Sequence, residues 1–365
     1  MGDEEEKAGE LFLPFSKESS EGELGKDFID VLRMVAPGTS LRVALDDFLN
    51  AKMGALIVLD NENLGGIIEG GFTVNTKFSA QKLVELAKMD GAIILSKDAK
   101  DILRVNALLF PDISINTKET GTRHKAAERT AKQAKTIAIA VSERKNKISI
   151  YYGDSSYQLQ RSSEILRRAS ETLQILEKQR DIFDEYLSNL NALELRKHAT
   201  ITDVCLVLQR VEIMKRISET VQRLLVELGK EGMIVKMRLK ELMGGLQREE
   251  ELILKDYFSS NHSSSLGILE KMDFDFLLEP LNISRLLFEE LHDKNVSPKG
   301  LRLLAKTNLL ERYMDLLVGN FENLSEILSA TNEELLSVLG SESMLAFFKE
   351  EIYNLKEKVN LGKEL

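Results

Sequence analysis

Between Ser162 and Tyr257 the chain has no proline, and its apolar residues recur three and four positions apart. Leu166, Leu173, Leu176, Phe183, Leu187 and Leu190 keep this spacing, as do Val204, Leu208, Val211, Met214 and Ile217. An apolar stripe of that period belongs to an amphipathic helix. With no proline to remove a backbone donor, the run reads as long helices in succession, interrupted near His198–Thr202 and Gly229–Gly232.

The preceding segment, from Leu24 to about Leu159, reads differently. Gly54 to Asp60 is short and nearly all apolar, which suits a strand buried on both faces. Gly65 and Gly71 bracket another short apolar run, Ile67-Ile68. Ser79 can cap a helix running to about Met89, with Leu83, Leu86 and Ala87 on one face. Gly91–Leu95, Thr136–Val141 and Ile148–Tyr152 read as further strands, the last two joined by a polar turn over 142–147. Strands alternating with helices predict one α/β domain with a mixed central sheet.

Past Tyr257, Asn261 to Ser265 reads as a loop, and residues 272–365 as several short helices. Thr331 and Glu334 have the spacing of a capping box ahead of Leu335, Leu336 and Leu339. Residues 1–22 form an acidic leader expected to be mobile, in which the apolar cluster Leu11–Phe15 could dock on a partner surface. The expected division is 1–22, 23–160, 161–270 and 271–365.

Charge and composition narrow the function. With 59 acids against 49 bases, the net charge of −10 excludes a protein that coats nucleic acid by global charge. The lone cysteine, Cys205, excludes an intramolecular disulfide and sits at helical spacing among apolar neighbours, as a small core residue does. The four histidines lack zinc-ligand spacing. No window approaches the run of about 18 apolar residues that crosses a bilayer, and the acidic start has the wrong sign for a signal peptide. A soluble cytoplasmic protein is expected.

Two clusters in the α/β segment could carry chemistry. Gly121-Thr122-Arg123-His124-Lys125 opens a helix. A helix N-terminus presents free N–H groups and the positive end of the dipole, and Gly121 lets a ligand come close. A hydroxyl and three cationic or donor side chains complete a cradle for a polyphosphate. Basic residues there oppose the dipole of an unliganded helix, a local conflict typical of functional sites. The second cluster, Asp90-Gly91-Ala92, lies at a helix-to-strand junction. Its carboxylate could hold a Mg²⁺ that takes its other ligands from phosphate, or simply end a helix in an Asp-Gly turn.

Leu83 to Leu95 and Glu119 to Arg129, with Asp90-Gly91-Ala92 and Arg123-His124-Lys125 at their centres, resemble the two signature motifs of diadenylate cyclase domains. The flanks Gly54–Leu59, Gly70–Phe72, Phe110–Asp112 and Tyr151–Asp154 agree, so the resemblance covers about residues 25–160. The helical segments that follow make the chain most similar to the DNA integrity scanning family. That resemblance implies an α/β diadenylate cyclase domain, an all-α helical spine and a small helix-hairpin-helix-like C-terminal domain. It implies a homo-oligomer, an octamer, that joins two ATP into cyclic di-AMP with Mg²⁺ or Mn²⁺ as cofactor. By position, Asp90 would hold the metal and help activate the ribose hydroxyl. Gly91, Ala92 and Leu109 would line the nucleotide, and Gly121, Thr122, Arg123, His124, Lys125 and Ala126 would wrap the triphosphate, Arg123 and His124 with a catalytic part. The family's third motif position is arginine; Lys125 keeps the charge without the bidentate fork, so a weaker grip is expected.

Ser297 to Lys306 resembles the entry to the family's DNA-binding hairpins, and Lys294, Lys299, Arg302 and Lys306 are the candidate phosphate contacts for branched DNA. The hairpins themselves depart from the pattern. Leu339-Gly340-Ser341-Glu342 has one glycine where two are expected, with a glutamate that would repel phosphate. Two other readings follow from the same residues: a catalytically weak sensor of ATP or a cyclic dinucleotide, and a DNA-binding scaffold with a vestigial cyclase. The intact Asp90 argues against the first, the acidic charge and altered hairpins against the second.

Overall fold

The computed structural model describes residues 26–258, 262–288 and 294–361, and the leader with its Leu11–Phe15 cluster lies outside them. The described residues divide into two compact units, those up to 165 together with 226–231, and 166–225 together with those from 232 onward.

The first unit opens with helices α1 (Lys26–Met34) and α2 (Ser40–Asn50), the latter capped by the Thr39 hydroxyl, which accepts the Arg42 N–H. Strands β1 (Ala55–Leu59), β2 (Ile68–Glu69) and β3 (Phe72–Lys77) precede α3 (Ala80–Leu86), capped as expected by Ser79. Then come β4 (Ala92–Leu95), β5 (Asp101–Leu109), α4 (Thr122–Ala134), β6 (Ile137–Ser142), β7 (Lys147–Tyr152) and β8 (Ser155–Leu159). The sheet order is β2-β5-β4-β1-β6-β7-β8, with β3 also on β5. Only β1 and β4 pair in parallel; the other neighbours are antiparallel.

All five residues of β1 are buried because both sheet faces are covered. On one face Val31, Leu41, Leu45, Phe48 and Leu83 pack over Ile57, Ile93, Val105 and Ile139. On the other, Ala127, Ala131 and Ala134 of α4 pack over Val58, Ile94, Ala138 and Ala140. Alanines at that contact let the helix approach closely. Burying each of the larger aliphatic side chains is worth about 1.5–3 kcal/mol.

Strand β5 escapes a reading by periodicity. Ile102, Val105 and Ala107 are its buried residues, and the pairing with β4 shifts between Ala92 and Leu95, with Asn106 at φ +52°. The irregularity breaks the alternation that would mark a strand. Strand β3 is nearly all exposed, Phe72 and Val74 included, so its two apolar residues mark no core face.

The second unit is helical. It holds most of α5 (Ser162–Arg196) and α6 (Ile201–Leu228), broken where the sequence predicted; a 3-10 turn (Gly229–Gly232) follows α6. Helices α7 (Met233–Leu242) and α8 (Leu246–Tyr257) come next. Cys205 is fully buried on α6, and loss of hydration pushes its thiol up to about 12. Helix α9 (His262–Lys271) replaces the loop expected over 261–265 from residue 262 onward, Asn261 lying outside the described residues. Serine is a middling helix former, but Ser265 and Leu269 are buried here, and tertiary burial outweighs propensity.

The remaining helices are α10 (Phe274–Leu277), α11 (Pro280–Leu287), α12 (Leu301–Leu304), α13 (Glu311–Asn320), α14 (Leu324–Ser329), α15 (Asn332–Leu339) and α16 (Glu342–Asn360). Leu303, Leu317, Ile327, Leu339 and Phe348 belong to a core shared by α12 to α16. The Thr331–Glu334 capping box forms as predicted. Gly340, in the left-handed region, ends α15, and Ser341 caps α16 at once, giving a tight hairpin. No helix among the described residues is long and apolar enough to cross a membrane.

Candidate functional site

Both sequence clusters arrive at one end of the sheet. Strands β1 and β4 run parallel with Ile57 opposite Ile93. Being parallel, the two strands begin at the same end of the sheet, where Gly54 precedes β1 and Asp90-Gly91 precede β4. Gly91 has φ +92°, and a Cβ there would stand 2.8 Å from the Ala107 carbonyl oxygen. Only glycine can make this turn against β5. The Asp90 side chain is exposed and makes no hydrogen bond or ion pair among the described residues.

Helix α4 brings the second cluster to the same place. Gly121 is its N-cap, at φ −87° and ψ 144°, and offers no side-chain cap. The first helical bond runs from the Lys125 N–H to the Gly121 carbonyl, 2.9 Å. The N–H groups of Thr122, Arg123 and His124 are therefore outside the helical ladder. No acid lies in the first turn. The Arg123 guanidinium takes the space beside Gly54 that a side chain at 54 would need, and approaches the Val141 carbonyl at 3.5 Å. His124 is half-buried; loss of hydration holds its imidazole below the usual range despite the opposing charge of Glu119, with Arg123 and Lys145 adding to the fall.

The loop before α4 is stitched to that helix. The Asp112 N–H donates to the Gln133 side chain at 2.8 Å, Arg129 to the Ile115 carbonyl at 3.0 Å, and Lys132 to the Asn116 carbonyl at 3.0 Å. The Thr117 hydroxyl donates to Glu128, which also pairs with Lys132 at 2.7 Å. The Tyr151 hydroxyl on β7 donates to Glu119 at 2.7 Å. The Thr117 and Lys132 bonds hold the Glu128 carboxyl below the usual range against its partial burial, the largest single influence. A periodicity reading assigns no role to Gln133, Glu128 or Tyr151, because their work is to place other residues.

Asp90, Gly91 and Gly121–Lys125 thus gather at the sheet end. Ala92, Leu109 and Ala126 meet on the side covered by α4, where Leu109 and Ala126 are half-buried against the core. Among the described residues no three or more His, Cys, Asp and Glu side chains are grouped to hold a metal. One open carboxylate suits a hard divalent ion completed by phosphate oxygens and water, so Asp90 fits Mg²⁺ or Mn²⁺ bound together with a nucleotide.

The C-terminal cations correct an expectation. Arg302 is fully buried; its guanidinium donates to Asn191 at 2.6 Å and to Glu194 at 2.5 Å, so it is closed to DNA phosphates. Lys306 pairs with Glu249. Lys299 is half-exposed and forms no ion pair among the described residues. A charge run read as a solvated or phosphate-binding face is here partly a buried network.

Residues 42–156 match the family model described as DisA bacterial checkpoint controller nucleotide-binding, and residues 159–292 that of the DisA bacterial checkpoint controller linker region. The DNA integrity scanning protein DisA of Clostridioides difficile is 40% identical over 349 residues, covering 93% of this chain and 98% of that one. That of Acetivibrio thermocellus is 43% identical over 327 residues, covering 86% and 90%. Among solved structures, a double mutant of DacA from Staphylococcus aureus is 24% identical, covers 35% of this chain and 86% of that one, and has a TM-score of 0.29. With two family models in order and relatives of this identity along nearly the whole length, the chain belongs to the DNA integrity scanning protein DisA family of diadenylate cyclases.

Proposed function

We propose that residues 23–160 condense two ATP molecules into cyclic di-AMP. Two copies of the domain face each other, each holding one ATP. Each ribose 3′-oxygen attacks the α-phosphorus of the opposite ATP; the new ester bond forms as the bond to the β-phosphate bridging oxygen breaks. Two pyrophosphates leave, and the proton of each 3′-hydroxyl passes to solvent water. The observation that carries this reading is the first turn of α4: three N–H groups outside the helical ladder, a basic run and no acid, at the same sheet end as the open Asp90 carboxylate.

The chain's own groups act by positioning and charge. Gly121, Thr122, Arg123, His124, Lys125 and Ala126 receive the triphosphate. Gly91, Ala92 and Leu109 line the nucleoside. Asp90 holds Mg²⁺ or Mn²⁺, which when bound supplies positive charge to the phosphate oxygens and acidifies the 3′-hydroxyl. A lone copy has only half of what the reaction needs, so the active form is a homo-oligomer, an octamer in this reading, with residues 161–270 as its helical spine. Of the four cations first named, Arg302 is enclosed and Lys306 is paired with Glu249, so branched DNA as a regulator acting through residues 271–365 would be read at Lys294 and Lys299; junction binding that falls steeply with salt tests it.

The direct test incubates the purified protein with ATP and Mg²⁺ or Mn²⁺ and seeks cyclic di-AMP by mass spectrometry. Product that is lost in Asp90→Asn is expected. An oligomeric wild-type protein that yields none with either metal overturns the reading in favour of a nucleotide sensor.

A further inference from the structure

A carboxylate stands two residues ahead of the α4 N-cap, and it is tied down. Acidic side chains beside free N–H groups at a helix start are natural caps, drawn by hydrogen bonding and by the dipole. Glu119 is long enough to act as one, and its charge already reaches the His124 imidazole. Gly121 leaves the first-turn N–H groups uncapped. Nothing in the helix itself therefore keeps Glu119 from folding onto them.

The restraint comes from β7. Tyr151 is 1% exposed and its hydroxyl donates to Glu119 Oε1 at 2.7 Å, while the Glu119 N–H donates to the Thr117 hydroxyl at 3.1 Å. Burial, with the adjoining carboxylate, pushes the phenol far above its usual range, so it remains a donor at any physiological pH. Resting on the reading of α4 as the triphosphate site, we infer that Tyr151 is a positioning residue that holds the Glu119 carboxylate off the first turn of α4, keeping the helix start free for phosphate.

Released, Glu119 competes with ATP for the same donors. The test measures ATP binding to the full chain by calorimetry in EDTA, where no turnover occurs, for wild type, Tyr151→Phe, the double variant Tyr151→Phe/Glu119→Gln, and Lys125→Ala as a check on the site. Tyr151→Phe is expected to weaken binding roughly five- to tenfold, the scale of one charge-assisted contact at a helix start. The double variant is expected to return to within about twofold of wild type, because a neutral amide is a poor rival to a phosphate. Loosened packing would be common to both variants and would not be rescued. Unchanged affinity in Tyr151→Phe, or weakening that the second substitution does not reverse, overturns the inference. Unchanged affinity in Lys125→Ala overturns the triphosphate reading itself, and the inference with it.

Discussion

Arg123 and Gly54 interlock at the end of the sheet: the guanidinium occupies the volume where a side chain at 54 would project. Gly54 is not in the left-handed region, so no backbone conformation demands glycine there. Its small size serves the arginine.

Gly54→Ala should therefore act on the site more than on the fold. The atom displaced is the far end of a flexible side chain, which moves at little cost, so the melting temperature should stay within about 2 °C. The guanidinium, however, loses its seat, and kcat/KM for ATP should fall at least about tenfold, the effect of about 1.4 kcal/mol at the transition state. A variant as active as wild type would show that the seat is not the working position of Arg123.

Arg302 and Glu194 form a buried pair, and removing the arginine leaves the Glu194 carboxylate without water or a cation, held only by the Tyr257 hydroxyl. Arg302→Met should destabilise the helical unit by about 3–5 kcal/mol, read from urea unfolding followed by circular dichroism. Because the guanidinium is closed to solvent, the same variant at low temperature should leave the salt dependence of any DNA binding unchanged. A changed slope would mean that Arg302 reaches phosphate after all.

The pH dependence of that unit has a definite sign. Glu194, Glu249 and Asp256 surround Arg302 and Lys306, so three carboxyls face two cations. Burial pushes Asp256 up to about 7, well above the ordinary carboxylate value of about 4, opposed by N–H bonds from Leu301 and Arg302. In the interval between, the folded state keeps a proton that the unfolded state has released, so stability falls as pH rises. The contribution is complete below about pH 4 and gone above about pH 7. Urea midpoints for the helical unit should decline from pH 5 to pH 8, and Asp256→Asn should flatten that decline. Midpoints that rise over the same interval would contradict the assignment.

Much of the architecture could be read from spacing. The strand over Gly54–Asp60, the Ser79 cap, the capping box at Thr331 and Glu334, and the helix breaks near residues 198 and 229 all follow from local periods and local hydrogen-bonding chemistry. So did the two clusters around Asp90 and Arg123, since glycine and charge at an element boundary are local signals. Their meeting at one sheet end was not local: it depends on the parallel pairing of β1 with β4 and on α4 lying across the sheet.

What the amino-acid order determined by itself was which face of each element is apolar and where each element stops, because both are decided within a few residues. Only the tertiary structure decided which polar groups lose their water. Arg302 meets Glu194 across 108 positions, Tyr151 meets Glu119 across 32, and β5 keeps its place despite a broken alternation because β3 and β4 pair along it. The free energy of a charge depends on all the atoms that replace its hydration, and those atoms come from distant parts of the chain.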